Sequence, residues 1–249
     1  MTDSKARFTD RVDDYVKYRP SYPAAAIDAI VRDLPAGRAI ADVGSGTGIS
    51  ARPFLDRGFR VIGVEPNAAM RAAAERELAA FPGFTSADGT AEATGLADAS
   101  VDLAIAAQAF HWFRPDEARA ELLRVTRPPH VVALIWNERL VDTPFLRAYE
   151  DALRAHAIDY DQVDHRNVDR GKLERFFRGP FETKTFPNAQ RFDREGLFGR
   201  ARSSSYVPKE GHPKHAAMWA ALDELATAYE GALEFRYVTS IHVGKLRAP

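Results

Sequence analysis

The sequence predicts an α/β protein built around an open, doubly wound sheet. Three observations carry that expectation. Between residues 36 and 140, short apolar runs alternate with helix-period segments at the spacing of βαβ units. The run HVVALIWNE is apolar almost throughout, as in a strand buried on both faces. The first run ends in ADVGSGTG, a glycine-rich turn that opens directly into a helix.

The elements follow in order. FTDRVDDYVKY has helical spacing, with Phe8, Val12, Tyr15 and Val16 on one face and Ser4 or Thr9 as a cap. RPSYP ends it, because proline cannot continue the hydrogen-bond ladder. AAAIDAIVRDL is a second helix, stopped by Pro35 and Gly37. RAIADV, FRVIGVE, GFTSAD, SVDLAIAAQ and HVVALIWNE are read as strands. ISARPFLDRG, NAAMRAAAERELAAF and RPDEARAELLRVT are read as the helices between them. Asn67 is the expected N-cap of the second, and Pro115 suits the first turn of the third. Beyond residue 140 come a helix (TPFLRAYEDALRAHA), a charged loop (IDYDQVDHRNVDRG) and a short helix (KLERFF). FETKTFPNAQRF and the alternating LEFRYVTSIHVGKL are late strands, with helical segments between them. The expected organisation is a single domain. Residues 36–140 are its core, residues 1–35 its N-terminal helices, and residues 141–249 its late strands with a helical insertion.

The 249 residues include 34 basic and 35 acidic ones, for a net charge of −1. That balance gives no electrostatic reason to expect nucleic acid or a membrane surface as partner. There is no cysteine, which excludes disulfides, thiol catalysis and iron–sulfur clusters. The polar start MTDSKARFTDRVDDY is not a signal peptide, and no apolar run is long enough to span a bilayer, so a cytoplasmic location is expected. His212 and His215 lack a third ligand at a recognisable spacing, so no metal is expected. No feature of the sequence sets an oligomeric state.

The glycine turn carries the chemistry. Gly44, Gly46 and Gly48 permit a sharp turn and a close approach of backbone to ligand. Ile49 stands where a dinucleotide-binding G-x-G-x-x-G has its third glycine. Asp42 precedes the turn and is suited to anchor its amides or to attract a ligand ammonium group. Glu65 ends the second strand, where an acid can accept both hydroxyls of an adenosine ribose. Each acid alone reads equally well as a solvated strand end. Together, in this order, they favour a ligand site.

On these residues the core resembles the class I S-adenosylmethionine-dependent methyltransferases. More narrowly, with the N-terminal DDYVKYRPSYP included, it resembles the type 11, trans-aconitate methyltransferase-like branch. The resemblance implies a Rossmann-like, doubly wound seven-stranded sheet with an antiparallel last strand, an N-terminal helical lid and a helical insertion before the last strand. It implies S-adenosyl-L-methionine as cofactor and a small-molecule methyl acceptor as partner. Gly44, Ser45 and Gly46 would face the methionine part, and Glu65 would hold the ribose. Pro66, Asn67 and Met70 would lie near the adenine. Thr90 stands where the family often has an aspartate, and could accept from the adenine amine while the Ala91 amide donates to the ring. Asp88 is a weaker candidate there, and Glu92 is expected to face solvent. Ala107 and Gln108 would touch the cofactor. AAQAFHWF is expected to end the fourth strand, with Phe110, His111 and Trp112 near the methyl group.

On the acceptor side, His111 is either a base or a wall of the pocket. Tyr15, Tyr18, Arg19 and Tyr22 belong to the expected lid, with Arg19 able to pair with a carboxylate. Trp136, Asn137 and Arg139 end the fifth strand, Arg139 being a second candidate carboxylate clamp. RSSSYVP, with Tyr206, falls in the insertion and reads as either an acceptor wall or a polar turn. The competing readings are an NAD-dependent oxidoreductase, against which Ile49 and Asp42 count, and a non-catalytic S-adenosylmethionine-binding protein.

Overall fold

The computed structural model describes residues 11–158, 160 and 170–247. Phe8, the caps considered at Ser4 and Thr9, and most of the charged loop lie outside the described residues. Seven strands form one sheet in the order β3-β2-β1-β4-β5-β7-β6. They are β1 (Ala39–Val43), β2 (Arg60–Val64), β3 (Phe84–Ala87), β4 (Val101–Ala107), β5 (Thr126–Arg139), β6 (Phe181–Arg191) and β7 (Glu234–Lys245). The first five are parallel. The last strand lies between β5 and β6 and is antiparallel to both. The expected fold class is therefore the observed one.

Alternation along the strands divides the core into two layers. Ala39, Ala41, Val43, Ala104, Ala106, Val132 and Leu134 face the helices α5 (Pro115–Val125) and α7 (Arg170–Phe177). Ile40, Leu103, Ile105, Ala133 and Ile135 face α2 (Ala24–Val31) and α3 (Arg52–Leu55). A third cluster joins α6 (Pro144–His156), α8 (Arg194–Arg202) and α9 (His215–Ala228) to Phe235 and Tyr237 of β7. The helix α4 (Ala68–Glu77) starts as expected, with the Asn67 side chain accepting from the amides of Ala69 and Met70 at 2.9 and 3.1 Å.

Two expectations are corrected. The helix read over ISARPFLDRG is only four residues long, because the chain first turns tightly, with the Gly48 amide donating to the Ser45 carbonyl. The fourth strand, read as SVDLAIAAQ, ends at Ala107, so only the first two residues of AAQAFHWF belong to it. Gln108 adopts a left-handed φ of 55°, and Phe110–Trp112 form a 3-10 turn beyond it.

The order reverses between β1 and β4, which opens a crevice at the carboxyl edge of the sheet. The short helix α1 (Val12–Tyr18) closes over that edge by docking on α8. Lys17 pairs with Glu195 at 3.0 Å and Asp14 with Arg202 at 3.0 Å. Arg11 donates to the carbonyls of Arg202, Ser204 and Val207. Behind α1, the Ser21 carbonyl accepts from the side-chain amides of Asn137 and Asn188 at 3.1 and 2.8 Å.

Candidate active site

A cavity of about 530 Å³ occupies the crevice. Its walls come from the loops after β1 to β5 and from α1, α6, the end of α8 and β7. The first half is built from backbone. Gly44 has φ +73°, and a Cβ there would lie 2.6 Å from that of Ala109, so only glycine fits. Glu65 fastens the turn: its Oε2 accepts from the Gly46 amide at 3.0 Å and its Oε1 from the Asn67 amide at 2.9 Å. Each carboxylate oxygen keeps a further acceptor site, so a bidentate contact to a vicinal diol remains available. Burial pushes the Glu65 carboxyl up, while those two amides oppose the shift.

Asp42 corrects its expectation. It is fully buried and accepts from the Ser50 hydroxyl at 2.6 Å, and among the described residues no loop amide donates to it. Ser50 stands between it and the cavity. Burial pushes its carboxyl up to about 7, the Ser50 bond opposing and nearby Glu65 adding to the rise. Anchoring the loop amides falls instead to Glu65.

Ser45, Pro66, Met70, Thr90, Ala91 and Ala107 line the same half of the cavity. Glu92 also lines it, which corrects the solvent-facing expectation. Its Oε1 accepts from the Arg114 amide at 2.8 Å, at the start of α5. Asp88 is absent from the lining and pairs with Arg71 at 3.0 Å. Gln108 holds its strained backbone through the Ile135 carbonyl at 2.9 Å and an Nε2 bond to the Asn137 carbonyl at 3.0 Å. Such a conformation costs about 1–2 kcal/mol for a non-glycine residue. Its Oε1 is buried and has no partner among the described residues. A glycine cradle, a diol-accepting acid and this spare buried acceptor fit the adenosine and amino-acid parts of the expected cofactor. His111 and Trp112 follow on the wall, their rings 4.6 Å apart, and Trp112 is 43% exposed.

The second half is built from long side chains. Arg139 donates to Glu150 at 2.5 Å and to the Tyr160 hydroxyl at 2.9 Å. Arg19 donates to the Ser203 carbonyl at 2.7 Å. Arg200 donates to the Ser204 hydroxyl at 3.0 Å and the Tyr237 hydroxyl at 3.3 Å. Tyr206 lies among the three guanidiniums. Burial pushes its phenol up, but Arg200, Arg19, Arg139 and a bond with Ser204 more than reverse that and hold it below its ordinary value. Burial pushes Tyr149, beneath them, up to about 12.

Three residues expected near the methyl group and acceptor lie off the cavity, and one of them, Phe110, is buried in the core against Phe113, Trp136 and Phe176. Tyr18 faces α8, where its hydroxyl bonds Glu195 at 3.1 Å and its ring packs on Gly199. Trp136 is in the core, edge-on to Phe110 at 6.2 Å between centroids, because it falls on the inward-facing register of β5. Arg200, Glu150 and Tyr160 carry no motif in the sequence, and Glu92 reads there as a solvent-facing residue. A signal existed for two of them. Arg200 is spaced with Leu197 and Ala201, and Glu150 with Leu146 and Leu153, on otherwise apolar helix faces. Among the described residues no group of three His, Asp or Glu could hold a metal, and no helix is long and apolar enough to cross a membrane.

Comparison with known proteins agrees with this geometry. Residues 41–134 match the model of a methyltransferase domain. An uncharacterised methyltransferase of Mycobacterium tuberculosis is 40% identical over 138 residues, 55% of this chain and 54% of the relative. The match thus spans about half the length of that relative. An uncharacterised methyltransferase-like protein of Schizosaccharomyces pombe is 29% identical over 226 residues, 88% of this chain and 85% of that one. Among solved structures, a protein described as a type II methyltransferase from Anaeromyxobacter dehalogenans superposes with a TM-score of 0.64 at 29% identity, over 93% of this chain and all of that one. Phosphoethanolamine N-methyltransferase 2 of Haemonchus contortus, solved in complex with S-adenosyl-L-methionine, shares the fold at a TM-score of 0.57 and 16% identity, over 99% of this chain and 61% of that one. Residues 41–134 thus match a methyltransferase domain, and the chain has the fold of the class I S-adenosylmethionine-dependent methyltransferases.

Proposed function

We propose that the chain transfers a methyl group from S-adenosyl-L-methionine to a small-molecule acceptor. The observation that carries this reading is the Glu65 carboxylate, tied to Gly46 and Asn67, at one end of a cavity that continues past Gln108 and His111 to an enclosed polar end. The bound cofactor supplies an electrophilic methyl on a sulfonium. The chain's own residues supply proximity and alignment, which is most of what an in-line displacement needs. Glu65 holds the ribose diol, the Gly44–Gly46 backbone and Gln108 hold the amino-acid part, and Thr90 and Ala91 border the adenine. His111, on the cavity wall three residues beyond Gln108, would either take a proton from an acceptor that arrives protonated or shape the pocket wall. Ile49 lines the cavity in place of the third glycine of a dinucleotide site, which disfavours NAD.

Calorimetric titration with S-adenosylhomocysteine tests the reading. Binding is expected for the wild type, and Glu65→Ala weakens it by about tenfold or more, the value of hydrogen bonds to a charged group. Absence of heat at millimolar ligand, or a larger thermal stabilisation by NAD, rejects it.

A further inference from the structure

The enclosed end of the cavity holds more positive charge than its surroundings balance. Arg19, Arg139 and Arg200 reach it from the end of α1, the end of β5 and α8. Two carboxylates line the cavity beside them: Glu150, shared between Arg139 and Arg154, and the exposed Glu138, which forms no ion pair with them. Among the described residues neither Arg19 nor Arg200 forms an ion pair. Burial pushes the Arg19 guanidinium down, with Arg200 adding to the effect. Arg19 Nε and Arg139 Nη1 are buried and have no hydrogen-bond partner among the described residues. Buried cations that lack a counter-charge are costly, and so are buried donors that lack an acceptor.

Tyr15 lies against Arg19, whose guanidinium carbon is 5.0 Å from its ring centroid, and further polar groups pack about the other two arginines. The Tyr237 hydroxyl is engaged with Arg200 and Gln190, and the Tyr160 hydroxyl with Glu150 and Arg139. Tyr149 lies beneath Arg139, whose guanidinium carbon is 4.9 Å from the ring centroid. Glu150 is already paired. Tyr206 remains, and an ionised Tyr206 would supply one oxygen. Two donors on two different arginines call for at least two. An oxyanion, with several acceptor oxygens and a full charge, meets both demands.

We propose that the methyl acceptor is an anion, its carboxylate or phosphate group held by Arg19, Arg139 and Arg200 against Tyr206, at the far end of the cavity from Glu65. The proposal rests on the methyltransferase reading for the word acceptor, but the anion site stands on its own residues. Position in the sheet separates it from the cofactor's half. Glu65 follows β2, whereas Arg139 ends β5 and is paired in register with Tyr237 of β7.

Titration of the full chain with benzoate and, separately, with inorganic phosphate tests this, each with and without saturating S-adenosylhomocysteine. At least one probe is expected to bind in the millimolar range or tighter with S-adenosylhomocysteine present, and the probe that binds identifies the kind of oxyanion. Arg200→Gln is expected to weaken that binding by about tenfold or more and to leave the affinity for S-adenosylhomocysteine unchanged. If Arg200→Gln does not fold, Arg19→Gln, at the end of α1, is expected to give the same loss of probe binding and decides alone. Failure of both probes to bind, binding indifferent to the substitutions, or displacement of the probe by S-adenosylhomocysteine overturns the proposal. The last result would assign the arginines to the cofactor's own carboxylate. Should the wild type not bind S-adenosylhomocysteine, the methyltransferase reading falls, and titration without it still decides the anion site.

Discussion

The two halves of the cavity are built by different means. The half around Glu65 is backbone and short side chains, set by successive strand ends between Gly44 and Gln108. The half around Arg139 is long charged and aromatic side chains, brought together from residues 19, 139, 150, 200, 206 and 237. The first is fixed by local chain geometry. The second exists only once α1 has docked on α8 and β7 has entered the sheet. Local construction tolerates little change in shape, whereas the assembled half can change its side chains without disturbing the sheet.

The sharpest way to break the contrast is to fill the turn. Gly44→Val places side-chain carbons against Ala109 at a left-handed φ. Overpacking and backbone strain together predict a loss of about 4 kcal/mol or more, read by urea denaturation, with loss of S-adenosylhomocysteine binding.

Asp42 gives a pH test of the same half. The folded chain keeps the Asp42 proton up to about pH 7. The unfolded chain releases it near pH 4. Between those values the folded state binds more protons, so this contribution lowers stability as pH rises, and it levels off above about pH 7. Asp42→Asn keeps the Ser50 contact and removes the titration. It is expected to match the wild type near pH 4 and to exceed it by about 4 kcal/mol at pH 8 in denaturant titrations.

In the assembled half, Arg11→Met removes the donors to the carbonyls of Arg202, Ser204 and Val207. A loss of about 2 kcal/mol is expected. Affinity for S-adenosylhomocysteine should fall far less than in Gly44→Val, and an equal fall would mean the halves are not separable. The smallest effect is expected of Trp112→Ala. Its ring is largely on the surface, so thermal denaturation should register a change below about 1 kcal/mol.

The same division explains what the sequence made legible. Strand alternation, the Asn67 cap and the acids at Asp42 and Glu65 are short-range patterns, and the sheet and the glycine turn follow from them. The partner of the turn amides was misassigned, because spacing alone does not say which of two nearby carboxylates reaches the Gly46 amide. Trp136 and Tyr18 were placed at the acceptor end from their position in the chain. One residue of strand register turns Trp136 into the core, and docking on α8 turns Tyr18 away. Arg200 is not legible because GRAR reads as an ordinary basic helix surface. Arg202 does lie toward the outside, on Asp14, while Arg200 two residues earlier is buried.

The position of β7 has a consequence for synthesis. Within the sheet β6 pairs with β7 alone, and β7 follows it by more than forty residues of chain. As the polypeptide leaves the ribosome, β6 emerges with both edges bare and stays so until residues 234–245 appear. Unpaired strand edges invite association with other chains. The nascent protein therefore needs protection late, after its parallel five-stranded core can already close, and Lys184 and Pro187 within β6 are the kind of residues that discourage edge pairing during that interval.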